Sequence, residues 1–344
     1  MKNEKRLVMA LIVLIVMFLT LLGASGDFEN ATPPQTTEEE SVPLDEDLIV
    51  VGFSQLGSES VWRATHTESI QNALSKEHGF FLQYSNARQK QENQIKAIRG
   101  FISQRVDYIV FAPFMEEGWE TVLMEAKNAG IPVILVDRKI AGSEDLYTTF
   151  IGSDMEAEGR KAGEWLEAEE SRNPLNGDES LNIVMLTGPV GSTSQIGRSK
   201  GFLEVARKHP NWKILAQESG DFTVVKGKET MEKLLRQHED IDVVVSQNDE
   251  MTFGAMEAIS EAGLTTGIYG KMKIISFDGV KDALELVDNG KINCDVECNP
   301  LQGELLAEVI QRLEVGKTVE KEYFVDELVF TKENVRDYLN DRVY

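Results

Sequence analysis

Cysteine is almost absent from this chain. Only Cys294 and Cys298 occur, both in CDVEC, and an extended segment holds them roughly 13 Å apart, beyond disulfide reach. They read as small buried side chains rather than as a cross-link or a metal site. Positive charge is also scarce. Against 58 Asp and Glu stand 35 Lys and Arg, a formal net charge of −23. That balance leaves no cationic face for a phosphate backbone and excludes nucleic acid as a partner; it reads as a solvated acidic surface. A phosphate-cradling loop is missing too. The glycines of GPVGSTSQIGRSKG do not keep the G-x-x-x-x-G-K-[ST] spacing, and Lys228 in KGKET is followed by Glu229. No basic helix-turn-helix opens the chain, which excludes a DNA-binding repressor.

What the chain does have begins with Lys2, Lys5 and Arg6 ahead of an apolar run from Leu7 to Leu22 and then GASG. This is the layout of a signal peptide over residues 1–26, removed or kept as an N-terminal membrane anchor. No clean A-x-A cut is present, and no cysteine follows the run to carry a lipid. Residues 27–45 fall in DFENATPPQTTEEESVPLDED, which contains no Lys or Arg, and are expected to form an acidic disordered linker. The remainder is expected to work outside the cytoplasm, on the outer face of the membrane or in the periplasm.

From Leu48 onward, apolar runs alternate with helical patterns. LIVVGFS, YIVFA, PVILVD, NIVMLTG, DVVVSQ and KIISFD are mostly continuous Val/Ile/Leu stretches, as expected of strands covered on both faces. Between them KQENQIKAIRGFISQ, GWETVLMEAKNAG, MEAEGRKAGEWLEAEE, KGKETMEKLLRQH and DEMTFGAMEAISEAG read as helices. Repeated β-then-α units imply parallel sheets with right-handed crossovers, and the length of 344 residues supplies units for two α/β lobes.

Ligands of open α/β sheets sit beyond the carboxyl ends of the strands. The residues found there are Glu59, Trp62 and Arg63; Asp137 and Arg138; Asn248 and Asp249; Asp278 before Gly279; and Glu297 after INCDV, with Phe222 in SGDFT. Carboxylates, guanidiniums and a carboxamide address rows of hydroxyls, while an aromatic ring covers the C–H face of a sugar. Each residue also has a plainer reading. Trp62 packs on its own helix and Arg63 is a surface cation; Asp137–Arg138 is a loop ion pair. Asn248 or Asp249 caps the helix that starts near Glu250, Asp278–Gly279 is a turn, and Phe222 is core. Asp137 and Asp278 also invite reading as a glycosidase acid and base, although hydroxyl binding needs carboxylates anyway.

The blocks GFSQLGSESVWR, QKQENQIKAIRGF, GWETVLMEAKNAGIPVILVDR, SGDFTVVKGKETME and NDEMTFGAMEAISEAGL resemble the galactofuranose-binding proteins of ABC sugar importers. These belong to the ribose/galactose-type solute-binding group, and the likeness runs from about Leu48 to the C-terminus. The resemblance implies a type I periplasmic-binding-protein fold: two doubly wound parallel-sheet lobes joined by a three-stranded hinge. Residues 46–153 with 298–326 would form the first lobe, and 154–297 with 327–344 the second. It implies a monomeric binding protein without catalytic residues, cofactor or metal, which closes on a monosaccharide and delivers it to the importer permease. Glu59, Trp62, Arg63, Asp137 and Arg138 would contact the sugar from the first lobe. Arg198, Phe222, Asn248, Asp278 and Glu297 would do so from the second lobe and hinge, with aromatic rings of opposite lobes sandwiching the sugar. The long spacer leaves a second reading, a tethered partner that presents sugar status to a membrane histidine kinase.

Overall fold

The structure, a computed structural model, describes residues 48–142, 144–175 and 180–344. The leader-like segment 1–26 and the linker 27–45 lie outside the described residues. The first sheet takes β1 (Ile49–Gln55), β2 (Phe80–Asn86), β3 (Tyr108–Phe111), β4 (Val133–Asp137), β5 (Thr149–Gly152) and β11 (Glu322–Phe324), in the spatial order β11-β5-β4-β3-β1-β2. The second takes β6 (Leu181–Thr187), β7 (Trp212–Ser219), β8 (Val243–Ser246), β9 (Lys273–Asp278), β10 (Cys294–Glu297) and β12 (Val329–Thr331), in the order β12-β10-β9-β8-β6-β7. All strand pairs are parallel except β10 with β12. The architecture is α/β, two doubly wound sheets built on one plan.

The continuous apolar runs are explained by burial on both faces. In β3, Ile109 and Phe111 pack with Ile98, Phe101 and Leu123 on one side, whereas Tyr108 and Val110 join Ile70, Leu74 and Leu306 on the other. The second sheet repeats the arrangement: Val184 and Leu186 face one core, Ile183 and Met185 the opposite one. Successive side chains of a strand alternate between faces, so a strand with two covered faces favours apolar residues at consecutive positions. The helices used below are α1 (Val61–Ala73), α2 (Gln91–Gln104), α3 (Glu120–Asn128), α4 (Met155–Arg172), α5 (Thr193–Ala206), α6 (Val224–Gln237), α7 (Asp249–Glu261), α8 (Lys281–Asp288) and α9 (Gly303–Glu314).

The chain passes between the two sheets three times: after β5, after β10, and between β11 and β12. One carboxyl ties the three passages together. Glu327 accepts from the Ser153 hydroxyl of the first passage and, at 3.0 Å, from the Asn299 backbone N–H of the second. The Ser153 hydroxyl also lies 3.3 Å from the Cys298 sulfur. Both cysteines are free and buried.

Candidate functional site

β1 delivers the chain to Ser60, which caps α1 by accepting from Arg63 N at 3.0 Å. Trp62 and Arg63 therefore ride on the first turn of α1 at the carboxyl edge of the first sheet. Asp137 ends β4 and Arg138 follows it. In the second lobe Arg198 lies on α5, Phe222 precedes α6, Asn248 follows β8 and Asp278 ends β9. Glu59, Trp62, Arg63, Asp137, Arg138, Arg198, Phe222, Asn248 and Asp278 line one hollow between the sheets, together with Ser60, Met155, Ser194 and Cys298. Its cavity volume is only about 30 Å³, well below the ~300–1,000 Å³ of typical small-molecule sites, so the walls are drawn tightly together.

Glu297 is the expected residue that the hollow does not include. Its carboxylate accepts from Leu328 N, Arg342 Nη1 and the Tyr344 hydroxyl, at 2.9, 2.6 and 3.0 Å. Sequence position along a strand does not say which way its last side chain turns; here the C-terminal segment claims it. Two residues were candidates for the cap of α7. Asn248 fills that role, accepting from Met251 N at 3.0 Å, while Asp249 is buried and accepts from Val280 N at 2.8 Å and from the Ser276 hydroxyl at 2.5 Å. Ser60, Met155, Ser194 and Cys298 carried no chemical signal in the sequence beyond their neighbours.

The polar lining is highly ordered. Arg63 Nη1 donates to Asp137 Oδ2 at 2.6 Å and its Nε to Glu59 Oε1 at 3.2 Å. Arg198 Nε donates to Glu158 Oε2 at 2.6 Å, its Nη2 to Asp278 Oδ1 at 3.1 Å, and its Nη1 to the Gln247 carbonyl. Arg138 is held differently. Its Nη1 donates to the Phe114 carbonyl at 3.3 Å, its guanidinium carbon stands 5.7 Å from the centroid of the Phe222 ring, and its Nε is 3.7 Å from Asp137. Burial pulls the Arg138 pKa down to about 10 although Asp137 works in the other direction, so it stays cationic at neutral pH. Two buried atoms of the lining, Arg138 Nε and Glu59 Oε2, have no hydrogen-bond partner within the protein. Buried polar atoms are ordinarily paired, and these two belong to residues lining the same hollow.

Backbone strain gathers here as well. Asp137, Phe222 and Asp278 all have positive φ, at 63°, 57° and 109°. Such conformations cost on the order of 1–3 kcal/mol each for non-glycine residues and cluster at functional sites. Gly188 makes room for the aromatic wall: a Cβ there would lie 2.1 Å from the Phe222 ring. Opposite, Trp62 stacks on His66 at 5.2 Å and 13°, and its Nε1 donates to the Cys298 carbonyl at 2.6 Å. The Trp62 ring thus packs on its own helix and lines the hollow; the two readings of the sequence coexist.

Hydrogen bonds also join the helix ends and loops of the two lobes. Val61 N donates to Glu250 Oε1 at 2.9 Å, Lys139 N to Thr193 Oγ1 at 3.2 Å, and Glu116 N to Gly191 O at 3.2 Å. The structure is a closed one.

This chain belongs to the periplasmic binding protein domain family, whose pattern it matches over residues 51–318. It is 43% identical over 256 residues to the galactofuranose-binding protein YtfQ of Escherichia coli K12, covering 73% of this chain and 78% of that one. Among solved structures, a Mycobacterium smegmatis protein in complex with β-D-fucofuranose superposes with a TM-score of 0.81 at 42% identity, covering 86% of this chain and 95% of that one. The periplasmic binding component of the arabinose ABC transporter of Shewanella sp. ANA-3, bound to α- and β-L-arabinofuranose, gives 0.78 at 42% identity with the same coverages. The family is one of solute-binding proteins, not enzymes, and its setting is extracytoplasmic.

Proposed function

We propose that this protein is an extracytoplasmic receptor that closes its two lobes around one neutral monosaccharide in the furanose form and hands it to an ABC importer. One observation carries the reading: a buried hollow walled by Trp62 and Phe222, in which Arg138 Nε and Glu59 Oε2 are left without hydrogen-bond partners in the protein. Rings on opposite walls suit the C–H faces of a sugar, and the unpaired donor and acceptor suit its hydroxyls. Each cleft guanidinium already lies within ion-pair distance of Asp137 or Asp278. The site therefore offers no uncompensated charge to an ionic ligand, which favours neutral sugars over sugar acids or phosphates. The furanose form is supported by the relatives, whose names specify galactofuranose, fucofuranose and arabinofuranose.

Closure is the mechanism. The sugar contacts both lobes only when they meet, so binding shifts the population toward the closed form, and the closed outline is what a membrane partner reads. On this reading Glu59, Trp62, Arg63, Asp137 and Arg138 bind from the first lobe, and Arg198, Phe222, Asn248 and Asp278 from the second. The lobes comprise 46–153 with 298–326 and 154–297 with 327–344, a division supported by the strand membership of the two sheets. Residues 1–26 export or anchor the protein, residues 27–45 space it from the membrane, and it works as a monomer. A thermal-shift screen against neutral aldoses and polyols tests the proposal, since a ligand of the folded state raises the melting temperature by mass action. Stabilisation by galactose, fucose or arabinose supports it; stabilisation only by anionic or aromatic ligands overturns it.

A further inference from the structure

We propose that Glu250 is the latch of the closed state: a second-lobe carboxylate that grips the first turn of α1 across the cleft and braces the cleft residue Asn248. The inference rests on the sugar-receptor reading above and adds to it the residue that sets how long the closed complex lasts.

The first N–H groups of a helix have no partner inside the helix, and the positive end of its dipole favours an anion. α1 meets this need from two sides. Ser60, its own cap, takes Arg63 N. Val61 N is taken by Glu250 Oε1 at 2.9 Å, from a residue 189 positions away on the other sheet's α7. The second oxygen of the same carboxylate accepts from Asn248 Nδ2 at 2.7 Å. Asn248 is 2% exposed and Glu250 7%, so the bridge is screened from water. One carboxylate thus joins the backbone beside Trp62 to an amide in the wall of the hollow. The other contacts between the lobes, Lys139 N to the Thr193 hydroxyl and Glu116 N to the Gly191 carbonyl, touch no side chain that lines the hollow. Opening the cleft separates Val61 from Glu250, and both groups regain water. The contact therefore belongs to the closed state alone and acts on release, not on encounter.

The donor can be removed without touching a side chain of the site. Val61 occupies the first position of α1 and is 55% exposed, and Ser60 before it is extended at φ −142° and ψ 162°. Proline is well tolerated at that position and after such a residue, so Val61→Pro deletes the N–H while α1 is kept. The experiment measures association and release rates of the purified protein by stopped-flow fluorescence, with L-arabinose and D-galactose at mutarotation equilibrium as probes. Wild type, Glu250→Ala, Glu250→Gln, Val61→Pro and the Glu250→Ala/Val61→Pro double variant are compared, with melting curves reporting folding. Release about tenfold faster in Glu250→Ala and in Val61→Pro is expected, with association within about twofold of wild type. The double variant should release no faster than either single one, and Glu250→Gln, which keeps an oxygen for Val61, should fall between. Should Glu250→Ala fail to fold, Val61→Pro and Glu250→Gln alone decide. Binding by wild type with unchanged release in Val61→Pro, or additive effects in the double variant, overturns the latch and leaves the receptor reading standing. Absence of binding of either sugar by wild type overturns that reading for these sugars, and the latch with it.

Discussion

The indole Nε1 of Trp62 donates to the backbone carbonyl of Cys298 at 2.6 Å, across 236 positions of sequence. The bond fastens the aromatic wall of the first lobe to the second passage between the lobes. Ring position and hinge position are therefore coupled through one contact.

Replacing Trp62 separates its two contributions. Trp62→Ala is expected to weaken sugar binding by about 1–3 kcal/mol through lost apolar burial. Trp62→Phe keeps a ring face but leaves the Cys298 carbonyl unpaired, so it should lower the melting temperature while costing less affinity. Titration calorimetry checks both; a wild-type dissociation constant in Trp62→Ala returns the ring to a packing role.

Arg138 is the cleft guanidinium with an unpaired buried nitrogen. Arg138→Ala is expected to weaken binding about 10–100-fold, as loss of a hydrogen bond to a charged group usually does. Lysine should not restore it, because a point charge lacks the planar fork that faces both Phe222 and Asp137. Unchanged calorimetric affinity in Arg138→Ala removes Asp137–Arg138 from the site.

The central strands were legible because burial on two faces favours runs of apolar residues, as in Ile109, Val110 and Phe111 and in Val243, Val244 and Val245. The edge strands Phe80–Asn86 and Trp212–Ser219 were not, since their half-exposed pattern admits Gln83, Ser85, Lys213 and Glu218. The three-residue β11 and β12 pair with strands far away in sequence, and no local pattern announces that. At the cleft, the strand-end rule gathered eight residues into one hollow and the family resemblance added Arg198, whereas Asp249 turns toward Val280 and Ser276 and Glu297 toward Arg342 and Tyr344. Glu158 and Glu250 escaped notice for a different reason. A glutamate in an acidic helical segment reads as solvated, and only the fold shows Glu158 buried against Arg198 and Glu250 buried against Val61.

His66 supplies a pH signature. Its Nδ1 lies 3.0 Å from Gln55 Nε2 and its Nε2 3.2 Å from Gln302 Oε1. Burial, reinforced by Arg63, depresses its pKa to about 4. The unfolded chain therefore binds a proton at this residue near pH 6.5 that the folded chain refuses until about pH 4. The stability involved, on the order of 3 kcal/mol, is complete above pH 6.5 and is lost as the pH falls toward 4. Thermal denaturation of wild type and His66→Gln from pH 7.5 to 4.5 checks this. The wild type should lose melting temperature more steeply, and parallel curves contradict it.

Glu327 behaves in the opposite sense. Burial, and then the neighbouring Glu158, pushes its carboxyl up to about 9. Between about pH 4.5 and 9 the folded chain holds a proton there that the unfolded chain gives up, so stability falls as the pH rises through that interval. Glu327→Gln keeps a carbonyl for Ser153 and Asn299 and removes the titration. Its melting temperature should match or exceed wild type at pH 8, and the difference should shrink toward pH 5. A lower melting temperature than wild type at pH 8 contradicts the account.

Titration calorimetry of the wild-type protein with galactose, fucose and arabinose tests the central claim, a cleft that closes on one neutral sugar. The account predicts saturable heat at one sugar per chain for at least one of them, with the signal strongly reduced in Arg138→Ala. No heat from any of the three at millimolar sugar, or equal affinity in wild type and Arg138→Ala, contradicts it.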